Sequence, residues 1–165
     1  MARGVFVAGN DLLATELNDI FDPPRCRVRW AGAAQSLTTA VTTALTFDTE
    51  TYDVGACHDN AVNNTRITCP AGGAGLWAFT AGAEIAANAT GRRELSLRIN
   101  NTTFIVTDRV PPTAADASRL QVATEYRMAV GDYIEAVVFQ NSGVALTVTV
   151  AGDYSPFFTA RWVAV

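Results

Sequence analysis

Apolar and polar residues alternate along most of the chain, which is the pattern of half-buried β-strands. The clearest case is the segment 25–30, where Cys26, Val28 and Trp30 share one face and three arginines share the other. Further apolar segments follow at short intervals, and turns rich in Gly, Pro or Asn separate them. The predicted strands are 25–30, 37–47, 65–69, 75–87, 94–100, 103–108, 119–128, 132–140, 145–150 and 157–165. This series predicts an all-β antiparallel fold, a β-sandwich or jelly roll.

The first 24 residues follow a different pattern. Leu13, Leu17, Ile20 and Phe21 recur at helical spacing, and Pro23-Pro24 ends the predicted helix. A helix of about 11 residues is not stable alone in water. We therefore expect its apolar stripe to dock on its own domain, on symmetry mates or on a larger assembly. The predicted organisation is an anchor segment, 1–24, and a head domain, 25–165.

The composition supports a packed head domain and disfavours some classes of binding partner. The chain has 165 residues, of which 49% are hydrophobic and 17% charged. Its net charge of -4 disfavours a nucleic-acid partner, which would need a basic face. No apolar run reaches the roughly 18 residues that a membrane span needs, so membrane insertion is not expected. All 12 basic residues are arginine, which indicates a GC-rich genome.

Catalytic chemistry has few candidate residues. His58 is the one histidine, so a Ser/His/Asp or Cys/His set would have to include it. It lies in a predicted loop and is expected to be exposed to solvent. Glu94 and Glu125 could in principle form the carboxylate pair of a glycosidase, but most β-proteins contain such pairs. The sequence therefore predicts a protein that is not an enzyme and that carries no cofactor.

Metal binding has two candidate sets. Cys57, His58 and Cys69 offer zinc ligands, although adjacent Cys57 and His58 are awkward for joint chelation. A predicted acidic loop concentrates oxygen donors of the kind calcium prefers. Its candidate ligands are Asp48, Glu50, Asp53 and Asp59. Solvated carboxylates and buried free thiols are the default expectations, although Cys57 and Cys69 could pair.

Three segments resemble the C1q/tumour-necrosis-factor-like jelly rolls. The segment 67–79 is similar to that family's xVPxxGxYxF stretch, with Pro70, Gly75 and Phe79 at the matching positions. The segment 126–134 resembles its LxxGDxV turn, and 155–163 resembles its terminal SxFxGFLL strand, with Thr159 or Ala160 replacing the usual glycine.

The resemblance implies a homotrimer. The strands around 133–139 and 157–162 carry apolar residues on both faces, so one face can fill the core and the other a subunit interface. The interface candidates are Tyr133, Phe139, Phe157 and Trp162.

Two further segments resemble bacteriophage proteins. The segment 89–100 looks closest to phage versions of this head, and 8–18 resembles the leader of many phage tail and head-appendage proteins. Together they imply a virion protein that is soluble when it is synthesised in the host cytoplasm. Its first segment would bind other virion proteins. A tail or tail-tip protein is favoured, and a capsid decoration or head-fibre protein or a free bacterial binding module are alternatives. Exposed tyrosines, among Tyr52, Tyr126 and Tyr154, could stack on a host-surface glycan or protein.

Overall fold

The computed structural model describes residues 22–165, which form two antiparallel sheets packed face to face. The strands are β1 (Arg25–Arg29), β2 (Ser36–Leu37), β3 (Thr43–Ala44), β4 (Thr49–Val54), β5 (Arg66–Thr68), β6 (Gly75–Ile85), β7 (Arg93–Ile99), β8 (Thr103–Val110), β9 (Ser118–Met128), β10 (Tyr133–Gln140), β11 (Leu146–Thr147) and β12 (Phe157–Ala164). One short 3-10 turn, Gly152–Tyr154, precedes the last strand.

The order of the strands makes the sandwich a jelly roll. The first sheet runs β4-β1-β12-β6-β9, so the first and last long strands lie side by side at its centre. The second sheet runs β3-β10-β7-β8, and β5 also pairs with β10. A small third pair joins β2 and β11. The predicted all-β antiparallel class is therefore confirmed.

Side chains from the inner faces of both sheets fill the core. The 11-residue strand β6 of the first sheet mostly alternates buried and partly buried residues. Aromatic rings cluster on the inner face of the first sheet: Phe79 of β6 lies 6.3 Å from Trp77 of the same strand and 6.2 Å from Phe158 of β12 between ring centroids. Phe158 in turn lies 5.9 Å from Phe47. These four rings are among the largest side chains of the buried core.

Two predicted boundaries are wrong at the edges of the sandwich. The acidic segment expected to be a loop is β4, which pairs with β1 from Thr49 to Val54. The segment 37–47, predicted as one strand, is divided into β2 and β3 by a turn in which Ala40 has φ 60°. Edge strands bury little surface, so their hydrophobic pattern is weak and pairing with a neighbour decides where they lie.

The predicted turn at Gly131 is confirmed and is cross-linked to another hairpin. Gly131 has φ +88°, in the region that disfavours residues with a side chain. The Asp132 carboxylate accepts hydrogen bonds from the Ala129 backbone N–H and from Asn100 Nδ2, both at 2.8 Å. The Asn100 side-chain oxygen accepts the Tyr133 N–H at 3.0 Å. The turns after β7 and before β10 are thereby joined at one end of the sandwich.

The predicted N-terminal helix lies outside the described residues, as do its stripe residues Leu13, Leu17, Ile20 and Phe21. The described chain begins at Asp22, and the carbonyl of Pro24 accepts the Trp162 N–H at 2.9 Å. Within residues 22–165, no helix has the length and apolar character needed to cross a membrane.

Candidate functional site: a groove on the second sheet and a buried thiol cluster

His58 is buried, so the prediction of an exposed loop histidine is wrong. Its ring nitrogens lie 3.3 Å from Glu50 Oε1 and 3.3 Å from the Asn64 carbonyl oxygen. Its ring packs edge-on against Phe47 at 6.5 Å. The loop after β4 folds back over the edge of the sandwich and buries the imidazole ring. His58 thus holds this loop against the core.

The calcium candidates each have a separate role. Asp48 Oδ1 accepts the Ala31 N–H, and Asp59 Oδ1 accepts the Ala61 and Val62 N–H groups at 2.8 and 2.9 Å. These backbone bonds hold the pKa of Asp59 below its ordinary value. Glu50 faces His58, and Asp53 accepts the N–H groups of Cys57 and His58. The structure does not gather the four carboxylates around one point.

One group of potential metal ligands does converge within residues 22–165. It comprises Cys26, Asp53 and Cys57, whose ligand atoms lie within 4.8 Å of one another. All three cysteines of the chain are buried free thiols, as expected. Contact with the Cys57 thiol, together with burial, raises the pKa of Cys26. The zinc candidates of the sequence do not form one site: within residues 22–165, Cys57 converges with Cys26 and Asp53, and neither His58 nor Cys69 belongs to that group.

The outer face of the second sheet carries a groove of about 250 Å³. It is lined by Thr42, Arg92, Glu94, Ser96, Phe104, Val137 and Phe139. Phe104 of β8 is 54% exposed, although it is a large apolar side chain. The groove thus combines an exposed aromatic ring, hydroxyl groups and charged groups within one concave surface, which suits a ligand that has both apolar and polar faces.

Ion pairs organise the charges around this groove. Glu94 lies between two arginines, Arg92 and Arg109, and the Arg109 Nε to Glu94 Oε1 distance is 2.6 Å. The Arg92 guanidinium also covers the Phe139 ring at 5.0 Å. The side chains of Arg92 and Arg109 remain 43% and 59% exposed. Their remaining N–H donors therefore face solvent at a fixed spacing, next to an apolar floor.

The four predicted interface residues lie on different surfaces. Tyr133 and Phe139 point outward from the second sheet, where Arg66 and Arg92 cover their rings. Phe157 lies on the outer face of the first sheet, beneath Arg27 at 5.0 Å. Trp162 packs against the core, and its Nε1 donates to the Ala74 carbonyl at 3.1 Å. A single flat interface cannot include all four.

Small side chains occupy one row at the centre of the outer face of the first sheet, which we call the small-residue face. Thr159 of β12, Thr80 of β6 and Ala123 of β9 are neighbours in register there. Gly82 lies in the next row, opposite Phe157. Arginines of β1 and β12 border this small-residue face on one side, including Arg25 opposite Arg161 and the exposed Arg27 and Arg29.

Other sequence candidates are separated by the fold. Glu94 lies on the outer face of the second sheet and Glu125 on that of the first, so they do not form a carboxylate pair. Tyr52 and Tyr154 are 40% and 50% exposed, and Arg119 covers the Tyr154 ring at 5.0 Å. Tyr126 instead packs against the core.

Comparisons with known proteins identify the fold. No family model and no curated protein matches the sequence. The globular domain of zebrafish complement 1qA protein matches with a TM-score of 0.61 at 12% sequence identity, over 83% of this chain and 94% of that chain. Murine APRIL, crystallised at pH 5.0, matches with a TM-score of 0.63 at 7% identity, over 86% and 99%. The chain therefore has the jelly-roll fold of the C1q and tumour-necrosis-factor-like domains.

Proposed function

We propose that this chain is a non-enzymatic structural protein of a bacteriophage virion, a homotrimeric tail-tip appendage that contacts the host surface. The jelly-roll fold and the phage-like segments 8–18 and 89–100 support this proposal. In this proposal, residues 1–24 bind other virion proteins, and the head projects from them.

The difference between the two outer faces of the sandwich carries the proposal. The small-residue face of the first sheet has no bulky side chain at its centre around Thr80, Thr159 and Ala123. Such a surface accepts the edge of a second subunit closely. Because a threefold ring uses heterologous contacts, each subunit needs one patch of this kind and a different patch that docks on it. The second sheet would then face outward.

An outward-facing second sheet would present the groove to solvent. Phe104 offers an apolar platform, and Arg92, Glu94 and Arg109 offer donors and acceptors beside it. Sugars are recognised through this combination, because a sugar ring has an apolar face and a rim of hydroxyl groups. We therefore assign the host-surface contact to this groove, with a glycan as its ligand.

The place where the first segment joins the head supports its proposed role as an anchor. Pro24 is hydrogen-bonded to Trp162, and its side chain lies against Gly55. The chain therefore enters the head beside β12, at one end of the sandwich. An anchor that begins there can hold the head at this end and leave the outer face of the second sheet accessible.

Light scattering and particle assembly test the proposal together. The full chain and a variant lacking residues 1–24 are purified, and their masses are measured. We expect both to be trimers, and only the full chain to join phage particles that lack it. A stable monomer would contradict the trimer, and equal incorporation of both chains would contradict the anchor. A particle map that places the chain on the capsid would make it a head-fibre or decoration protein instead.

A further inference from the structure

We propose that Cys26, Asp53 and Cys57 form a binding site for a thiophilic divalent metal ion, with Zn²⁺ as the ion that fits best. One sulfur from each cysteine and one carboxylate oxygen lie within 4.8 Å of one another. The two cysteines are 0% and 1% exposed. This site is independent of the groove and of the proposed function.

Strand pairing and one tight turn bring these ligands together. Cys26 of β1 faces the core, and Asp53 of β4 is its direct partner in register. After β4 the chain reverses through Gly55 and Ala56, which have φ angles of 99° and 53°. This turn returns Cys57 to the edge of the sandwich beside Cys26.

Backbone hydrogen bonds hold the carboxylate in place. Asp53 Oδ1 accepts the Cys57 N–H, and Oδ2 accepts the His58 N–H, both at 3.0 Å. Each oxygen retains a free lone pair that can bind an ion. The cluster is therefore arranged before any ion binds, which lowers the cost of assembling it.

The ligand set favours zinc over the hard cations. Zinc binds cysteine sulfur at about 2.3 Å and carboxylate oxygen at about 2.0–2.2 Å. Tetrahedral geometry at those lengths places two sulfurs about 3.8 Å apart, which is compatible with ligand atoms that lie within 4.8 Å of one another. Calcium and magnesium prefer oxygen ligands alone and would leave both sulfurs unused.

Binding is balanced by proton release. Each of the two thiols gives one proton to solvent, and the ion then joins two thiolates and one carboxylate. The fourth position is open to water or to the Val54 carbonyl, whose oxygen lies 3.6 Å from Cys57 Sγ. Asp53 is only partly buried, so an ion can enter from its side of the cluster.

Cobalt substitution tests the site on the full chain, purified in a reductant that does not bind metals. Co²⁺ is titrated, and the absorption from thiolate-to-cobalt charge transfer is measured. We expect one Co²⁺ per chain, displacement by Zn²⁺ and a higher melting temperature with Zn²⁺. Cys57→Ser and Asp53→Asn should each weaken Co²⁺ binding at least about tenfold.

Cys69→Ser is the matched control, because Cys69 is also a buried cysteine but lies outside the cluster. It should keep the absorption band and the affinity. The proposal is overturned if the wild type shows no thiolate-to-cobalt absorption band. It is also overturned if Cys69→Ser loses the band as fully as Cys57→Ser does. Circular dichroism checks folding. If Cys57→Ser does not fold, the partly exposed Asp53→Asn decides, and unchanged affinity there also overturns the proposal.

Discussion

Phe157 lies directly across from Gly82, and its ring covers the place that a side chain at position 82 would occupy. A Cβ built on Gly82 would lie 2.5 Å from Phe157 Cε1. The Arg27 guanidinium lies over the same ring, 5.0 Å from its centroid. The glycine thereby allows a large aromatic residue to lie flat on the first sheet.

Replacing Gly82 with valine should displace the Phe157 ring outward. The ring would then protrude from the small-residue face and disturb its packing against another subunit. We expect the head to remain folded, with a loss of about 1 kcal/mol in unfolding free energy. The proposed trimer should dissociate at about tenfold higher concentration, measured by analytical ultracentrifugation. Val62→Ser, in an exposed loop, is the control and should leave assembly unchanged. An unaltered trimer in Gly82→Val would place the interface elsewhere.

Gly131→Val should destabilise the head through backbone strain alone. No atom lies within 4 Å of a Cβ built at Gly131, but its φ is +88°. We expect a loss of about 1–2 kcal/mol in unfolding free energy, measured by urea denaturation. Gly131→Asn should lose less, because asparagine tolerates positive φ better. Equal stability of the valine variant and the wild type would be incompatible with the assigned turn.

Arg93→Met should strongly lower the free energy of unfolding of the head. Arg93 is 0% exposed, and its guanidinium donates to the carbonyls of Asn88, Thr90 and Arg92 at 3.0–3.1 Å. Methionine fills similar space but leaves these acceptors without their donor. We expect a loss of roughly 3 kcal/mol in unfolding free energy.

The exposed Arg29→Met provides the comparison for that measurement. Its unfolding free energy should stay within about 0.5 kcal/mol of the wild type. Denaturation curves that coincide for Arg93→Met and Arg29→Met would mean that the loop before β7 does not depend on the buried guanidinium.

Phe104→Ser and Glu94→Gln should reduce the proposed binding of the head to host cells. Phe104 is 54% exposed, so its loss should leave the melting temperature nearly unchanged. Removing the Glu94 charge frees Arg92 and Arg109 from their fixed positions. We expect about a tenfold loss of binding for each variant, measured with labelled heads on cells. Val130→Ser, equally exposed but outside the groove, is the control. Full binding by both groove variants would exclude the groove as the contact.

The stability contributed by Asp59 should depend on pH. Its pKa is lowered in the folded chain by the N–H groups of Val62 and Ala61. A lowered folded pKa means that the carboxylate stabilises the fold above its unfolded pKa, and that this contribution disappears as the pH falls through the folded pKa. The difference in melting temperature between the wild type and Asp59→Ala should therefore be largest near neutral pH and shrink in acid. A difference that grows on acidification would contradict this sign.

Most strands were predictable because their local pattern and their burial agree. The predicted strand 119–128 differs from β9 by one residue at its start, and 103–108 extends to Val110 in β8. The turn at Asn100-Asn101 was also predictable, since both residues adopt positive φ, which asparagine tolerates. The alternation of apolar and polar residues did not predict β4, because this acidic edge strand buries too little surface to need apolar residues at every second position.

The candidate sites were much less predictable, because their residues are distant in sequence. Cys26 meets Cys57 only through the pairing of β1 with β4. Phe104 and Phe139 reach one groove because β8 and β10 both flank β7. His58 is buried because its loop folds back onto Phe47, which no local feature of the loop indicates.

The sequence by itself determined the all-β class, the turns and the alternation that separates core from surface, since these depend on residues that are near neighbours along the chain. Only the tertiary structure decided which thiols meet, which carboxylates are apart and which aromatic residues share a surface. The physical reason is that hydrogen bonds between distant strands set the register, and a register brings together side chains whose spacing in the sequence carries no signal.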